Sequence, residues 1–281
     1  MNDFVISASA LSAFKRCPKS YYFGYEQALT VIEQKEALTN GIDFHTYAAD
    51  YAIYRRDGVE PDFGKYDNDK MYEVFNAWVR HRGATEFDNM AEILHVEEPM
   101  FTELLPGVQL RTTLDLVYRD KNGWIVIRDY KTFAKMPSLD ASLDFQARIY
   151  IAAIMRKYQT ENVKFEHVYV RRDLFHEGKQ SHVAWTPEES YVYEEIVIPR
   201  AEADRLWKET QYVAGIILDA TGTNIFYRVD LKGTSPFTCG SCFYKTVCAA
   251  ENQNGGMDGL DLEELDYRVN RNERNQQEIP A

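Results

Sequence analysis

Apolar residues change period along this chain, and the changes predict its elements. Ser7 and Ser9 offer capping hydroxyls ahead of Ala10-Leu11-Ser12-Ala13-Phe14, a short helix that Pro18 interrupts or restarts just after Cys17. An aromatic cluster, Tyr21, Tyr22, Phe23 and Tyr25, comes next. Helical spacing predicts a second helix over about 36–56, stopped at Gly58, and a third over 71–82, stopped at Gly83. The texture then turns β-rich at 93–104, 109–118 and 124–130. Pro106-Gly107 and Asp120-Lys121-Asn122-Gly123 mark turns between these runs, which predicts a three-strand antiparallel meander. Phe145, Ile149, Ala152 and Ala153 restore helical spacing over about 142–158. Residues 165–171 read as a strand and His182-Val183-Ala184-Trp185 as a looser return. Residues 187 to about 220 read as a long helical region opened by Pro187, Glu188 and Glu189.

The expected fold class is therefore mixed α/β. At 281 residues, with 45% hydrophobic and 27% charged content, the composition is that of a soluble globular protein. No apolar run approaches a membrane span and Met1-Asn2-Asp3-Phe4 is unlike a signal peptide, so a cytoplasmic protein is expected. The expected organisation is one domain over 1–254, with a helical lobe to about 90, a core over about 91–186 and a helical, cysteine-bearing segment over about 187–254. Residues 255–281 read as an acidic tail, either a solvated, disordered end or a docking segment. The net charge of −12 opposes a broad nucleic-acid footprint; removing the tail's net −4 still leaves −8, so any DNA contact is expected to be local or aided by cations. Local candidates are Lys15, Arg16, Lys19, Arg111, Arg148, Arg171 and Arg172.

The four cysteines fall as Cys17 alone and Cys239-x2-Cys242-x5-Cys248. One four-thiolate site joining segments 222 residues apart uses all of them. Zinc more often takes two close pairs, so the one-plus-three split leans toward an iron-sulfur cluster, with zinc as the alternative and a disulfide or inert thiols as the plainer readings.

Asp115 and Asp129-Tyr130-Lys131 lie on neighbouring predicted strands, and a turn at Asn122-Gly123 lets both carboxylates meet at one end of the sheet. Two carboxylates suit a hard divalent ion such as Mg2+ or Mn2+, and Lys131, two residues beyond Asp129, shares its face. A surface salt bridge is the commoner fate of an Asp-x-Lys triplet. Gln146 and Tyr150, one turn apart on the next helix, add two polar groups to the same region. Glu97 and Glu98 read as strand residues, one facing solvent, with a metal contact as the less favoured role.

Taken in order, residues 11–18, Gly41-x3-His45, Asp115, Asp129-Tyr130-Lys131, 146–150 and the three late cysteines resemble the PD-(D/E)XK nucleases. The similarity is to the RecB-like exonuclease branch with an iron-sulfur cluster, which includes the CRISPR-associated RecB-like nuclease and the AddB nuclease domain. That resemblance implies a restriction-endonuclease-like core. It implies a metal held by His45, Asp115, Asp129 and the Tyr130 carbonyl, a catalytic Lys131, and Gln146 and Tyr150 positioning DNA and water. It further implies a cluster on Cys17, Cys239, Cys242 and Cys248. Relatives commonly place a small residue shortly before the first metal aspartate, whereas this chain has Arg111-Thr112-Thr113-Leu114.

The implied activity is metal-dependent hydrolysis of DNA, exonucleolytic on single-stranded ends. A structure-specific or single-strand endonuclease and a non-catalytic DNA-binding subunit of a helicase or recombination complex are the alternatives. The chain has no G-x4-G-K-[ST] loop and thus no motor signature, which leaves room for a helicase or recombination partner.

Overall fold

The computed structural model describes residues 4–32, 36–60, 62, 69–135, 143–172, 187–229, 239–240 and 242–270. Its strands are β1 (Phe4–Ser7), β2 (Leu29–Val31), β3 (Met90–Val96), β4 (Pro99–Leu105), β5 (Val108–Thr113), β6 (Leu116–Asp120), β7 (Ile125–Phe133), β8 (Val163–Arg171), β9 (Tyr191–Ile196) and β10 (Tyr267–Val269). Its principal helices are α1 (Ala8–Arg16), α2 (Glu36–Asp57), α3 (Lys70–Trp78), α4 (Phe145–Tyr158), α5 (Arg200–Thr223) and α6 (Lys245–Asn254). The chain divides into two compact units. Lys35–Met100 with Thr112–Leu206 makes a core unit, and Met1–Gln34, Phe101–Arg111 and Trp207–Ala281 make a terminal unit.

The core unit is built on a five-stranded sheet in the order β3-β6-β7-β8-β9. Only β7 and β8 run parallel; the other pairs are antiparallel. Parallel neighbours need a crossover, and α4 supplies it, with Ile149 to Met155 all buried. One sheet face carries Val126 and Tyr130 of β7 and Val168 and Val170 of β8, which pack with Phe44 and Ala48 of α2 and Val74, Phe75 and Trp78 of α3. Alternation sends Ile127, Asp129 and Lys131 to the other face, where Tyr150 of α4 stacks at 6.4 Å on Phe165 of β8. This mixed α/β sheet flanked by helices is a restriction-endonuclease-like fold. Arg128, only 3% exposed, is a buried charge paired on two sides, 2.8 Å from Glu86 and 3.0 Å from Glu166.

The expected meander is redistributed. Residues 93–104 form two strands, β3 and β4, and residues 109–118 also form two, β5 and β6, which enter different sheets. Both runs break at one level: Glu97 adopts a φ of 51° and its N–H donates to the Leu114 and Asp115 carbonyls at 3.0 and 3.3 Å. The meander that remains is β3-β6-β7, closed at Asn122-Gly123, where Asp120 Oδ1 accepts from the amides of Asn122 and Trp124.

Gly83 does not stop a helix. The chain continues through a π turn (Val79–Gly83) into Ala84–Asp88, and a Cβ at Gly83 would lie 2.9 Å from the Trp78 ring, so the glycine serves packing. The long helical region expected over 187–220 is likewise interrupted. Pro187–Ser190 is a short helix, β9 follows, and α5 begins only at Arg200. Tyr191 and Tyr193 find partners on β8, and that pairing overrides the local helical signal. The expected return at 182–185 lies outside the described residues.

In the terminal unit, Ser7 Oγ caps α1 by accepting from Ala10 N–H at 3.1 Å, and β1 pairs parallel with β5 in a sheet of order β1-β5-β4. A second small core gathers Phe23, Leu29, Val247 and Tyr267. Over 255–270 the acidic side chains are exposed while the end of the stretch is paired: β10 runs antiparallel to β2, and the Tyr267 hydroxyl donates to the Phe243 carbonyl at 2.6 Å. Among the described residues no helix is long and apolar enough to cross a membrane.

Candidate functional site

The register of β6 and β7 sets the carboxylates opposite one another. Leu116 pairs with Arg128 in antiparallel register, so Asp115, just before β6, lies across from Asp129. Asp115 thus opens a strand instead of closing one. Asp129 sits inside β7, whose pairing with β8 continues to Phe133. Asp115 Oδ2 accepts from the Tyr130 amide at 2.7 Å. From α2, His45 donates through Nε2 to the Tyr130 carbonyl at 2.7 Å and sets Nδ1 3.3 Å from Asp115 Oδ2. His45 is aimed there because Phe44, beside it, is wholly buried against Tyr130 and Trp78.

Glu97 completes a trio that the sequence left as the less favoured reading. The ligand atoms of His45, Glu97 and Asp115 all lie within 4.8 Å of one another, the one such group among the described residues. The left-handed turn at Glu97 places it there, a backbone feature with no sequence signature. Glu98 instead meets Arg56 at 3.1 Å and His95 at 3.4 Å. An imidazole, two carboxylates and a neighbouring main-chain carbonyl form a donor set that fits Mg2+ or Mn2+. Asp129 stands outside that trio, held by Lys131 Nζ at 2.7 Å and by His167 Nδ1 at 2.8 Å.

These surroundings drive the two carboxylates apart in acidity. Burial pushes the Asp115 carboxyl up; His45 opposes the shift, while Asp129 and Glu97 add to it. At Asp129 burial acts the same way but is outweighed by His167 and Lys131, which hold the carboxyl below the usual range. Burial disfavours charge on His45, yet Asp115 and Glu97 overcome it and push the imidazole up to about 10. Lys131 is also raised, its burial outweighed by Asp129. Such divergence between neighbouring groups is what acid-base sites exploit.

Gln146 and Tyr150 are joined on α4, Gln146 Nε2 donating to the Tyr150 hydroxyl at 2.5 Å. Burial, opposed by the Gln146 hydrogen bond and aided by the charges of Asp129, Asp115 and Asp144, raises the Tyr150 phenol. Asp144 caps α4 by accepting from the Gln146 and Ala147 amides at 2.8 and 3.3 Å. Sequence reasoning singled out neither Asp144 nor His167. The only available signal for His167 was a polar residue alternating with Phe165 and Tyr169 in an otherwise buried strand. Beside the trio a cavity of about 640 Å³ is lined by Ile42, Thr46, Ala49, Asp50, Lys131 and Thr132.

The cysteines gather in the terminal unit. Cys17 ends α1, its amide donating to the Ala13 carbonyl; Cys239 and Cys242 share a turn, and Cys248 lies on α6. All four are free and half-buried. Burial pushes the Cys239 thiol up, and Cys17, Cys242 and Cys248 push it further. Arg228 Nε donates to Cys248 Sγ at 3.4 Å and its guanidinium pairs with buried Glu251, which also takes Lys19 at 2.5 Å. Among the described residues the thiols do not form a group whose ligand atoms all lie within 4.8 Å of one another, as His45, Glu97 and Asp115 do.

Several cations expected to meet DNA have internal partners. Lys15 pairs with Glu209 and Arg148 with Glu202. Arg171 donates to the Ala134 and Glu189 carbonyls, and Lys19 lies 4.1 Å over the Tyr22 ring. Arg16 is exposed. Tyr21 stacks on Tyr25 and Phe226 at 5.2 and 6.0 Å and meets Phe14 edge-on at 5.4 Å.

No curated protein matches the chain. Several solved structures are similar, among them the following three. The crystal structure of SSO0001 has 15% identity and a TM-score of 0.41, covering 88% of this chain and 86% of that one. A candidate exonuclease from Eubacterium rectale has 12% identity and a TM-score of 0.47, covering 82% and 86%. A phage-related exonuclease from Haemophilus somnus has 12% identity and a TM-score of 0.37, covering 79% and 96%. The model of one family matches residues 5–249, a span that includes both sets of residues just described, and the chain belongs to the PD-(D/E)XK nuclease superfamily.

Proposed function

We propose that this chain is a divalent-metal-dependent deoxyribonuclease that degrades DNA from single-stranded ends. The observation that carries the reading is Asp115 facing Asp129 across β6 and β7, with Lys131 on the Asp129 side and His45 and Glu97 closing over Asp115. His45, Glu97, Asp115 and the Tyr130 carbonyl would hold Mg2+ or Mn2+, with Asp129 reaching it once Lys131 turns toward substrate. Bound there, the ion supplies charge neutralisation at the phosphate and a more acidic water. Lys131 orients that water and balances charge building on the phosphate oxygens, as an ammonium does in a site partly shielded from solvent. Gln146 and Tyr150 hold the approaching strand. The cavity of about 640 Å³ beside Lys131 has room for a terminal nucleotide, its Ile42 and Ala49 walls suiting a base or sugar face.

Cys17, Cys239, Cys242 and Cys248 would hold an iron-sulfur cluster, which supplies folding free energy to the unit that carries it. The protein would act in the cytoplasm on ends exposed by a helicase or recombination partner, in the manner of the RecB-like branch.

The test is cleavage of end-labelled linear and circular single-stranded DNA with Mn2+ or Mg2+, by anaerobically purified protein of known iron content. Loss of the linear strand alone, abolished in Lys131→Ala, is expected. Cleavage of the circle would make the protein an endonuclease, and metal-independent or absent cleavage would overturn the catalytic reading.

A further inference from the structure

His167 is a buried titratable group with no part in the reaction as described. It is 4% exposed, and both of its ring nitrogens face carboxylates. Its position follows from register. β8 runs parallel to β7 and sets His167 beside Asp129, where Nδ1–H donates to Asp129 Oδ2 at 2.8 Å. On the far side Nε2 lies 3.7 Å from Asp144 Oδ2, close enough for charge attraction though too long for a hydrogen bond. The ring has little room to turn, with Phe165 edge-on at 4.7 Å and Tyr169 at 5.4 Å.

We propose that His167 is a positioning residue: it fixes the rotation of the Asp129 carboxylate and ties that carboxylate, through Asp144, to the helix end that presents Gln146 and Tyr150. The inference rests on the reading of Asp129 as a metal-binding carboxylate. An aspartate's terminal torsion is broad and soft, so a carboxylate on a strand needs outside partners to hold one orientation. Lys131 alone is a poor clamp, since its ammonium sits on a flexible stem with a half-exposed side chain and has work of its own. His167 is a rigid donor on a central strand. Asp144 spends Oδ1 on the α4 cap and turns Oδ2 toward His167, so the sheet carboxylate and the Gln146 helix are registered against one imidazole. Partners of this kind behind a metal-binding group change metal affinity by about 10- to 100-fold.

Amide isosteres separate the two contacts. In His167→Asn the side-chain amide replaces Nδ1, and in His167→Gln it reaches instead toward the place of Nε2. Mn2+ affinity by titration calorimetry, together with kcat and KM on linear single-stranded DNA, is compared for wild type, H167N, H167Q, H167F and D129N. The expected result is that H167Q and H167F bind Mn2+ about 10- to 100-fold more weakly and lose kcat while KM for DNA holds. H167N recovers most of both losses. Equal Mn2+ affinity in H167N and H167Q overturns the proposal, as does a folded H167F that matches wild type. If H167F fails to fold, the comparison of Asn with Gln still decides. If D129N binds Mn2+ as wild type does, the reading of Asp129 fails and the inference falls with it, a result distinct from a failure confined to His167.

Discussion

The two units hold their reactive groups in opposite ways. In the core unit the carboxylates, imidazoles and lysine project from a five-stranded sheet and from helices packed on it, and their positions follow from strand register and a large aromatic core. In the terminal unit the thiols come from a helix end, a turn and a ten-residue helix, and the last of these packs into a small cluster of Phe23, Leu29, Val247 and Tyr267. A scaffold of the first kind should persist without its ion. The part around that small cluster should depend on whatever its thiols bind, because so few buried side chains supply little free energy of their own.

The largest effect expected is catalytic and confined to the core unit. Lys131→Ala should lower the cleavage rate by about two to three orders of magnitude. Circular dichroism and iron content should stay at wild-type values; a variant that cleaves normally would remove Lys131 from the site.

Next is Cys17→Ala, or chelation of the iron proposed to bind the thiols. Amides of the β2/β10 ladder should exchange with solvent at least tenfold faster, while those of the β7/β8 ladder keep their protection. Equal acceleration in both ladders would show that the units are not independent, and the contrast between them would collapse.

The pH dependence sharpens the same contrast. His167, its burial outweighed by Asp129 and Asp144, is pushed up to about 9, and His45 to about 10, both from 6.5. Raised pKa values mean that the folded form binds protons more tightly. This stabilisation is full below pH 6.5 and is lost as pH rises through about 9 for His167 and about 10 for His45. Urea unfolding of the metal-free protein from pH 6 to 10 should show declining stability over that window. Saturating Mn2+ should flatten the decline, because binding displaces the His45 proton. A flat profile without metal would mean that the carboxylates do not hold these imidazoles.

The smallest effects are structural and separate by unit. Gly83→Ala drives a methyl into the Trp78 ring and should cost about 1–3 kcal/mol in the core unit. Tyr267→Phe loses one hydrogen bond to the Phe243 carbonyl and should cost about 1 kcal/mol in the terminal unit. Thermal unfolding followed by exchange at each ladder assigns each loss; Gly83→Ala at wild-type stability would mean that the Trp78 ring yields freely.

The candidate site was legible wherever chemistry is carried by residue type and short spacing. Asp129-x-Lys131, the Asn122-Gly123 turn opposite Asp115, and the helix bearing Gln146 and Tyr150 could be placed from local pattern alone. Glu97 could not be ranked over Glu98, because their difference lies in one left-handed backbone angle that returns Glu97 to Asp115. His167 and Asp144 were invisible for a related reason, since their partners are set by parallel register across a crossover.

The sequence by itself determined the mixed α/β class, the order of the motifs and the family, because periodicity, turn residues and the identity of chemical groups are local properties of a chain. Only the tertiary structure decided how the predicted strands divide between two sheets, that residues 191–196 join β8 instead of extending a helix, and that residues 267–269 pair with 29–31. It also decided which carboxylate sits with His45 and which with His167. Those outcomes depend on long-range pairing, where burial and hydrogen-bond satisfaction outweigh local preferences worth only fractions of a kcal/mol per residue.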